Sequence, residues 1–303
     1  APSKDEAMVS ASILDGLIKN SGLSLAAHKS VDATQVMTFL GIQFDSTSMT
    51  MAVTPERLVE IQNELNAWDN KKRATKREIQ SLVGKLNFIA KCCKPGRVFM
   101  ARILALLKRL HRSSHYAHLN KDFKQDIQWW IKFLPHFNCT SVIKTHTERQ
   151  TFSTDACLQA GAGICGTEFF VYEFPQELLD VACSICQLEF ITVVIAVKVW
   201  CSHWKGVRLM IECDNMATVQ VINSGRAQNP FLQQCARELI FLACKWEFEL
   251  VAIHVPGVQN TLCDWLSRRF LKDSYWHEFL NATKGQYKEL SISKDIWKFT
   301  CDW

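Results

Sequence analysis

Four carboxylates sit where ordinary surface acids would be uncomfortable. Asp155 lies inside a run of strand composition, TFSTDA, where aspartate is disfavoured. Glu189 falls in the first turn of an expected helix that is apolar on nearly every side, from Leu188, Phe190 and Ile191 to Val199 and Trp200. A helix apolar all round is buried, and a buried carboxylate has to be paired, protonated or bound to metal. Asp214 closes the run Leu209–Asp214, at the carboxyl end of an expected parallel strand, where open α/β sheets place their sites. Asp264 lies in the first turn of a short helix. Plainer readings exist for three of them, a helix-dipole acid for Asp264 and for Glu189 and an N-cap for Asp214, and Asp155 has the weakest. As a set, the four fit one chemistry. Two divalent ions about 3.5–4 Å apart activate a water and stabilise the leaving oxygen of a phosphodiester, and Mg2+ asks for hard oxygen donors in octahedral geometry. His254, ahead of the loop Val255–Asn260 that leads to Asp264, is placed to shuttle a proton or help product leave. A strand-end histidine held for packing is the alternative reading.

These residues require elements to carry them. Strands are expected at 151–156, 160–165 and 169–174, then a buried helix at 187–203 and a strand at 207–214. Helices at 215–223 and 230–245, a strand at 247–255 and a helix at 261–270 complete the half. Three strands in a meander followed by alternating helices and strands predict an α/β fold, a mixed sheet covered by helices on both faces. Before the polar stretch 138–150, taken as a linker, the pattern is mostly helical: 7–18, then 55–67, 75–92, 97–112 and 119–134. Two strands, 36–44 and 49–53, form a hairpin around Asp45–Ser48, and Thr54-Pro55 caps the next helix. Trp129 and Trp130 are expected in the core.

Charge is unevenly placed. Residues 1–150 hold 22 Lys and Arg against 13 acids, and the remainder 13 against 17. Within 71–112 there are 13 basic residues and a single acid, Glu78. A merely soluble face mixes both signs, so this stretch has the electrostatic footprint of a phosphate-backbone binder.

The cysteines, 13 in all, show no paired spacing and, with no charged-then-apolar leader, read as reduced thiols of the cell interior, cytoplasm or nucleus. Cys183-x-x-Cys186 and Cys201-x-His203 look like a zinc pattern on paper. A helix between the pairs would hold them about 22 Å apart, which four ligands around one ion cannot span. The longest apolar run, Leu188–Trp200, falls short of the ~20 residues of a membrane span and is a core element. The opening residues, APSKDEAM, start without Met and suggest a piece of a longer chain.

The chain resembles the ribonuclease H region of retroelement polyproteins over about 150–270. TFSTDA is similar to the first catalytic strand, CQLEFITVVIAVKVW to the helix that supplies the glutamate, and RLMIECDN to the strand with the second aspartate. IHVPGVQNTLCDWLSR is similar to the closing pattern H-x-P-G-x-x-N-x-x-A-D-x-L-S-R, with Cys263 where that pattern has Ala. The separations of 34, 25 and 50 residues between the four acids suit it. The N-terminal half resembles the end of a reverse transcriptase: KSVDATQVMTFLGIQFDS, VTPERLVEIQNELNAW and TKREIQSLVGKLNFIAKCCKPGRVFMARIL look like the last palm strands, primer-grip hairpin and thumb, most similar to tyrosine-recombinase, DIRS-like retrotransposons.

The resemblance implies a ribonuclease H-like mixed sheet preceded by a mostly helical thumb or connection with a small hairpin from the palm. It divides the chain into 1–53, palm end and hairpin; 54–137, thumb; 138–150, linker; 151–271, ribonuclease H-like domain; and 272–303, a tail that matches nothing. It implies hydrolysis of the RNA strand of RNA–DNA hybrids with two Mg2+ ions, Mn2+ substituting. Asp155 and Asp214 would bind both ions, Glu189 would hold one and orient water, and Asp264 would complete the second, with His254 assisting. Lys71, Lys72, Arg73, Lys76, Arg77, Lys85, Lys91 and Arg97, with Asn215 and Asn260, would contact hybrid or template–primer. The polymerase motif, an aromatic-x-Asp-Asp segment, is absent, so this chain alone should not polymerise. A non-catalytic nucleic-acid-binding module from a decayed or domesticated retroelement is the alternative, and a DNA-cutting transposase of the same fold a third. Oligomeric state is left open.

Overall fold

A computed structural model describes residues 3–24, 26, 30–137, 139–143, 148–182 and 184–301. The N-terminal half runs α1 (Lys4–Asn20), β1 (Val36–Phe39), β2 (Ile42–Asp45), β3 (Thr50–Val53), α2 (Pro55–Asn70), β4 (Arg73–Thr75) and α3 (Lys76–Ile89). A 3-10 turn (Lys94–Met100) leads into α4 (Ala101–Lys108), followed by β5 (Tyr116–His118), α5 (Lys121–Phe137) and β6 (Thr140–Val142). Helices α2, α3 and α5 bury apolar faces around Leu65, Leu86, Phe123 and Trp130, all at or near zero exposure.

The expected single strand over 36–44 is in fact two. Leu40 and Gly41 both have positive φ, 51° and 79°, which folds the run into the β1–β2 hairpin. Two adjacent positive-φ residues match the right-handed twist of a two-residue hairpin turn, and the glycine takes one of them without strain. The segment expected as a linker begins with β6, which pairs with β3 to complete a sheet in the order β1-β2-β3-β6; residues 144–147 of it lie outside the described residues.

The second half runs β7 (Arg149–Ala156), β8 (Ala160–Cys165), β9 (Glu168–Glu173), α6 (Gln176–Leu179), α7 (Ile185–Trp200), β10 (Arg208–Cys213) and α8 (Met216–Ser224). It continues with α9 (Pro230–Lys245), β11 (Glu249–His254), α10 (Thr261–Ser267), α11 (Asp273–Thr283) and β12 (Lys288–Glu289). The sheet order is β11-β10-β7-β8-β9-β12. The first three strands form an antiparallel meander, while β10 runs parallel to both β7 and β11. This is the α/β mixed sheet expected from the element order.

Helix α7 is the core: Phe190, Ile191, Val193, Val194, Ile195, Ala196 and Val197 have no exposed surface. With the turn after it, Ile185–His203 is long and apolar enough to cross a membrane by length alone, yet it is two-thirds (67%) buried against the sheet and α9. Two glycines in β8 let the layers close. A Cβ at Gly161 would collide with Thr192 of α7, one helical turn beyond Glu189, and a Cβ at Gly163 would strike the Phe170 ring at 2.6 Å. Close approach of α7 to β8 therefore depends on bare backbone there. Cys186 and Cys201 stand at opposite ends of α7, as the geometric objection to a zinc site requires; Cys183 lies outside the described residues.

Residues 273–301, for which the sequence offered no reading, are built into the fold. Strand β12 extends the sheet beside β9, and Phe279 of α11 packs on Phe169 at 5.1 Å between ring centroids. The chain then returns along the domain, where Lys294 O accepts from the Tyr172 hydroxyl at 2.7 Å and Thr300 donates both its N–H and its hydroxyl to Glu238. The two halves share core as well: Phe241 of α9 packs on Phe133 of α5 at 5.4 Å.

Candidate active site

The parallel register of β7 and β10 brings the first two acids together. Glu212 pairs with Ser153, and Ser153 Oγ donates to Glu212 Oε2 at 2.7 Å. Continuing that register by two residues sets Asp214 beside Asp155, on neighbouring strands about 4.8 Å apart. Asp214 is the first residue beyond β10 rather than its last, and the N-cap of α8 is Asn215, whose Oδ1 accepts from Ala217 N at 2.9 Å and Thr218 N at 3.1 Å. The capping alternative for Asp214 therefore fails, because its neighbour does that work.

Glu189 comes from α7. That helix starts at Ile185, capped by Ser184, so Glu189 stands one turn inside it, not in the first turn as expected. Its carboxylate and that of Asp214 lie within 4.8 Å, together with the Cys213 thiol. Asp264 occupies the first turn of α10 and pairs with Arg268 Nη2 at 2.6 Å. From the same helix, Ser267 donates its hydroxyl to Asp155 Oδ2. His254, the exposed last residue of β11, places Nε2 3.1 Å from the Asp214 backbone oxygen.

Electrostatics confirm that these groups sense one another. Burial, then the charge of Asp214 and more weakly Asp155, push the Glu189 carboxyl up to about 7, against a hydrogen bond from Asn215. Burial likewise pushes Asp155 up to about 6, opposed by the Ser267 hydroxyl and reinforced by Asp214 and Asp264. Like charges crowded in a partly desolvated pocket raise the cost of ionisation.

The donor set fits a hard divalent cation. Glu189 Oε2 and Asp214 Oδ1 are buried with no hydrogen-bond partner among the described residues. A buried carboxylate oxygen without a donor is costly, and a cation facing both is what would satisfy them. Oxygen donors suit Mg2+ and Mn2+. The Cys213 thiol is buried and pushed up to about 12, so it stands as a neutral group, accepting the Asn215 N–H at 3.4 Å.

No protein-family model and no curated protein matches the chain. Among solved structures, it is similar to the foamy viral protease-reverse transcriptase in complex with RNA/DNA hybrid, at 14% identity and a TM-score of 0.37, covering 82% of this chain and 33% of that one. A second, the foamy viral protease-reverse transcriptase dRH in complex with ds DNA, aligns at 13% identity and a TM-score of 0.34, covering 79% and 41%. The chain thus spans less than half the length of these structures. The fold assignment rests on strand order and pairing, and the site on its own geometry.

The remaining expected contacts divide. Lys72, Arg73, Arg77, Lys91 and Arg97 are exposed around the end of α2, β4, α3 and the 3-10 turn. Lys71 instead pairs with Glu78 at 2.5 Å, Lys85 with Glu64 at 2.5 Å, and Lys76 donates to His111 O at 3.2 Å. Asn260, expected to touch nucleic acid, is 5% exposed and donates to Thr154 O at 2.9 Å. It pins the loop before α10 to the strand that carries Asp155, because a buried backbone carbonyl needs a donor. Asn215 is spent on its cap and on Glu189.

Ser267 and Arg268 had no role assigned from sequence, although Arg268 stands four residues after Asp264 on a helix, the spacing that pairs opposite charges. Asp126 and Arg237, buried at 0% and 1% exposure and joined at 3.0 Å across the two halves, were missed entirely.

Proposed function

We propose that this chain hydrolyses the RNA strand of RNA–DNA hybrids as the ribonuclease H part of a retroelement reverse transcriptase. The observation that carries the reading is the paired Glu189 and Asp214 carboxylates, within 4.8 Å and each with an orphaned buried oxygen, beside Asp155. Bound Mg2+ or Mn2+ would supply an activated water and charge stabilisation at the leaving oxygen. Asp155 of β7 and Asp214, just beyond β10, would hold the ions together with Glu189, which would also orient the water, and Asp264 would complete the set. Ser267 and Arg268 hold Asp155 and Asp264 in place. His254, anchored at the Asp214 backbone, is exposed and free to receive or return a proton at its ring. The exposed lysines and arginines between 72 and 97 grip phosphates and orient the hybrid, and the 2′-hydroxyl distinguishes the RNA strand.

The wording of the thumb motifs favours a tyrosine-recombinase, DIRS-like element. Twelve free cysteines among the described residues accord with the reducing cell interior.

The test is cleavage of a labelled RNA–DNA hybrid by the full chain. Fragments should appear with Mg2+ or Mn2+ and vanish with a chelator, and duplex DNA should survive. Absence of cleavage with either ion, while the hybrid still binds, would replace the nuclease by a binding module; preferential cutting of duplex DNA would replace it by a transposase-type enzyme.

A further inference from the structure

Beside the paired carboxylates stands a donor of a different kind. Cys213 is the last residue of β10, and its Sγ lies within 4.8 Å of a carboxylate oxygen on both Glu189 and Asp214. Among the described residues no other three acidic, thiol or imidazole side chains converge so closely. The backbone N–H of Asn215 donates to the sulfur at 3.4 Å, and the thiol offers its own proton to Asn215 O at a distant 3.9 Å. Cys213 is 1% exposed, while Glu189 and Asp214 are half-buried. An ion arriving from solvent therefore meets the two acids first and the sulfur behind them.

A nuclease working through Mg2+ has no use for this sulfur. Mg2+ takes hard oxygen ligands in octahedral geometry, and sulfur selects softer ions. Zn2+ binds cysteine sulfur at about 2.3 Å and carboxylate oxygen at about 2.0–2.2 Å, in a tetrahedron. Donors so arranged stand about 3.5 Å apart, so three atoms already within 4.8 Å need only small side-chain rotations to close on one ion. Water takes the fourth position, as in other zinc sites with three protein ligands. As the Zn–S bond forms, the thiol proton passes to solvent. The Asn215 N–H then supports the negative sulfur with a charge-assisted hydrogen bond.

We propose that Cys213, Glu189 and Asp214 form a zinc site that excludes Mg2+ and so switches the nuclease off. The binding stands on these three donors alone; the switching rests on the nuclease reading above. Zinc held against Cys213 claims two of the acids that the Mg2+ ions would use. Its tetrahedral shell leaves one open place, where two-metal hydrolysis needs water and phosphate oxygens at once.

Co2+ is the probe, because a cobalt–thiolate bond absorbs in the near ultraviolet and a cobalt–carboxylate bond adds little there. Titration of the full, reduced chain with Co2+ should raise this band to saturation, and Zn2+ should bleach it. Cys213→Ser and Cys213→Ala, checked for folding by circular dichroism, should each weaken the Cys213-dependent binding about ten-fold or more, at least the cost of losing a group that merely supports a ligand. Alanine brings no polar group into the core, so that variant should keep the fold. In hybrid cleavage, Zn2+ should inhibit the parent in competition with Mg2+, and each variant, measured against its own zinc-free rate, should need about ten-fold more zinc. A band that never saturates, or one of unchanged affinity in both variants, would overturn the zinc site. Zinc inhibition of equal potency in parent and variants would overturn the switch. If the chain cleaves no hybrid in Mg2+ while the Cys213-dependent band remains, the nuclease reading fails, the switch with it, and the zinc site stands.

Discussion

Glu189 and Asp214, 25 residues apart in the chain, bring their carboxylates within 4.8 Å, and each keeps one buried oxygen without a hydrogen-bond partner among the described residues. A helix and a strand end have been packed so as to force like charges together. Packing alone gains nothing from such an arrangement, since repulsion and desolvation both oppose it. A cation between them would turn both costs into coordination.

Stability of the metal-free protein should therefore fall as pH rises. Burial and Asp214 raise Glu189 from 4.5 to about 7, and burial raises Asp155 from 3.8 to about 6. The folded chain holds these protons more tightly than the unfolded one, so their stabilising contribution is complete below the unfolded values and is lost as pH rises through about 6–7. Thermal unfolding in chelator across that range should show the decline, Glu189→Gln should flatten it, and Mg2+ should restore stability above pH 7 because it binds the deprotonated form. Asp126, also raised to about 6 by burial, contributes with the same sign in both proteins and cancels from the comparison. An identical slope in Glu189→Gln would refute the assignment.

Asn260→Ala should cost about 1–3 kcal/mol, the penalty for leaving the buried Thr154 carbonyl without a donor. Because the loop it pins leads to α10, hybrid cleavage should drop together with stability in denaturant unfolding. A loss of hybrid affinity with unchanged stability would instead return Asn260 to the nucleic-acid contacts.

Arg237→Met should destabilise by about 3–5 kcal/mol, because Asp126 is fully buried and loses its closest guanidinium. Adding Asp126→Leu should recover part of that loss, since the uncompensated charge is then gone. Denaturant unfolding of the two variants decides it: a double variant no more stable than the single one would mean that packing, not charge, governs the junction.

The sheet and its acids were legible in the sequence because their signals are local. Residues of strand type such as Thr151, Phe152, Phe170, Val171 and Tyr172 mark β7 and β9, the apolar length marks α7, and an acid inside either stands out against its neighbours. What escaped reading depends on partners far away in the chain. Leu40-Gly41 passes for the middle of a strand until the two positive φ values are seen. Strand β12 is two residues long and owes its place to β9, some 120 residues earlier. Asp126 and Arg237 each look like one more charge on an amphipathic helix, and only the docking of α5 on α9 buries them together. Asn260 was recognised as part of a motif, but its hydrogen bond to the Thr154 carbonyl was not, since a motif shows that a residue matters and not what it touches.

Asp214→Asn is the most direct test of the proposal that the carboxylate cluster holds metal. The substitution keeps the shape of the side chain and removes its charge. Cleavage of a labelled RNA–DNA hybrid in Mg2+ should fall on the order of a thousandfold or more, while the affinity for the hybrid, measured in parallel, should stay within about twofold because the proposed phosphate contacts lie elsewhere. Cleavage that persists near the parent rate, or hybrid binding that disappears with it, would contradict the account.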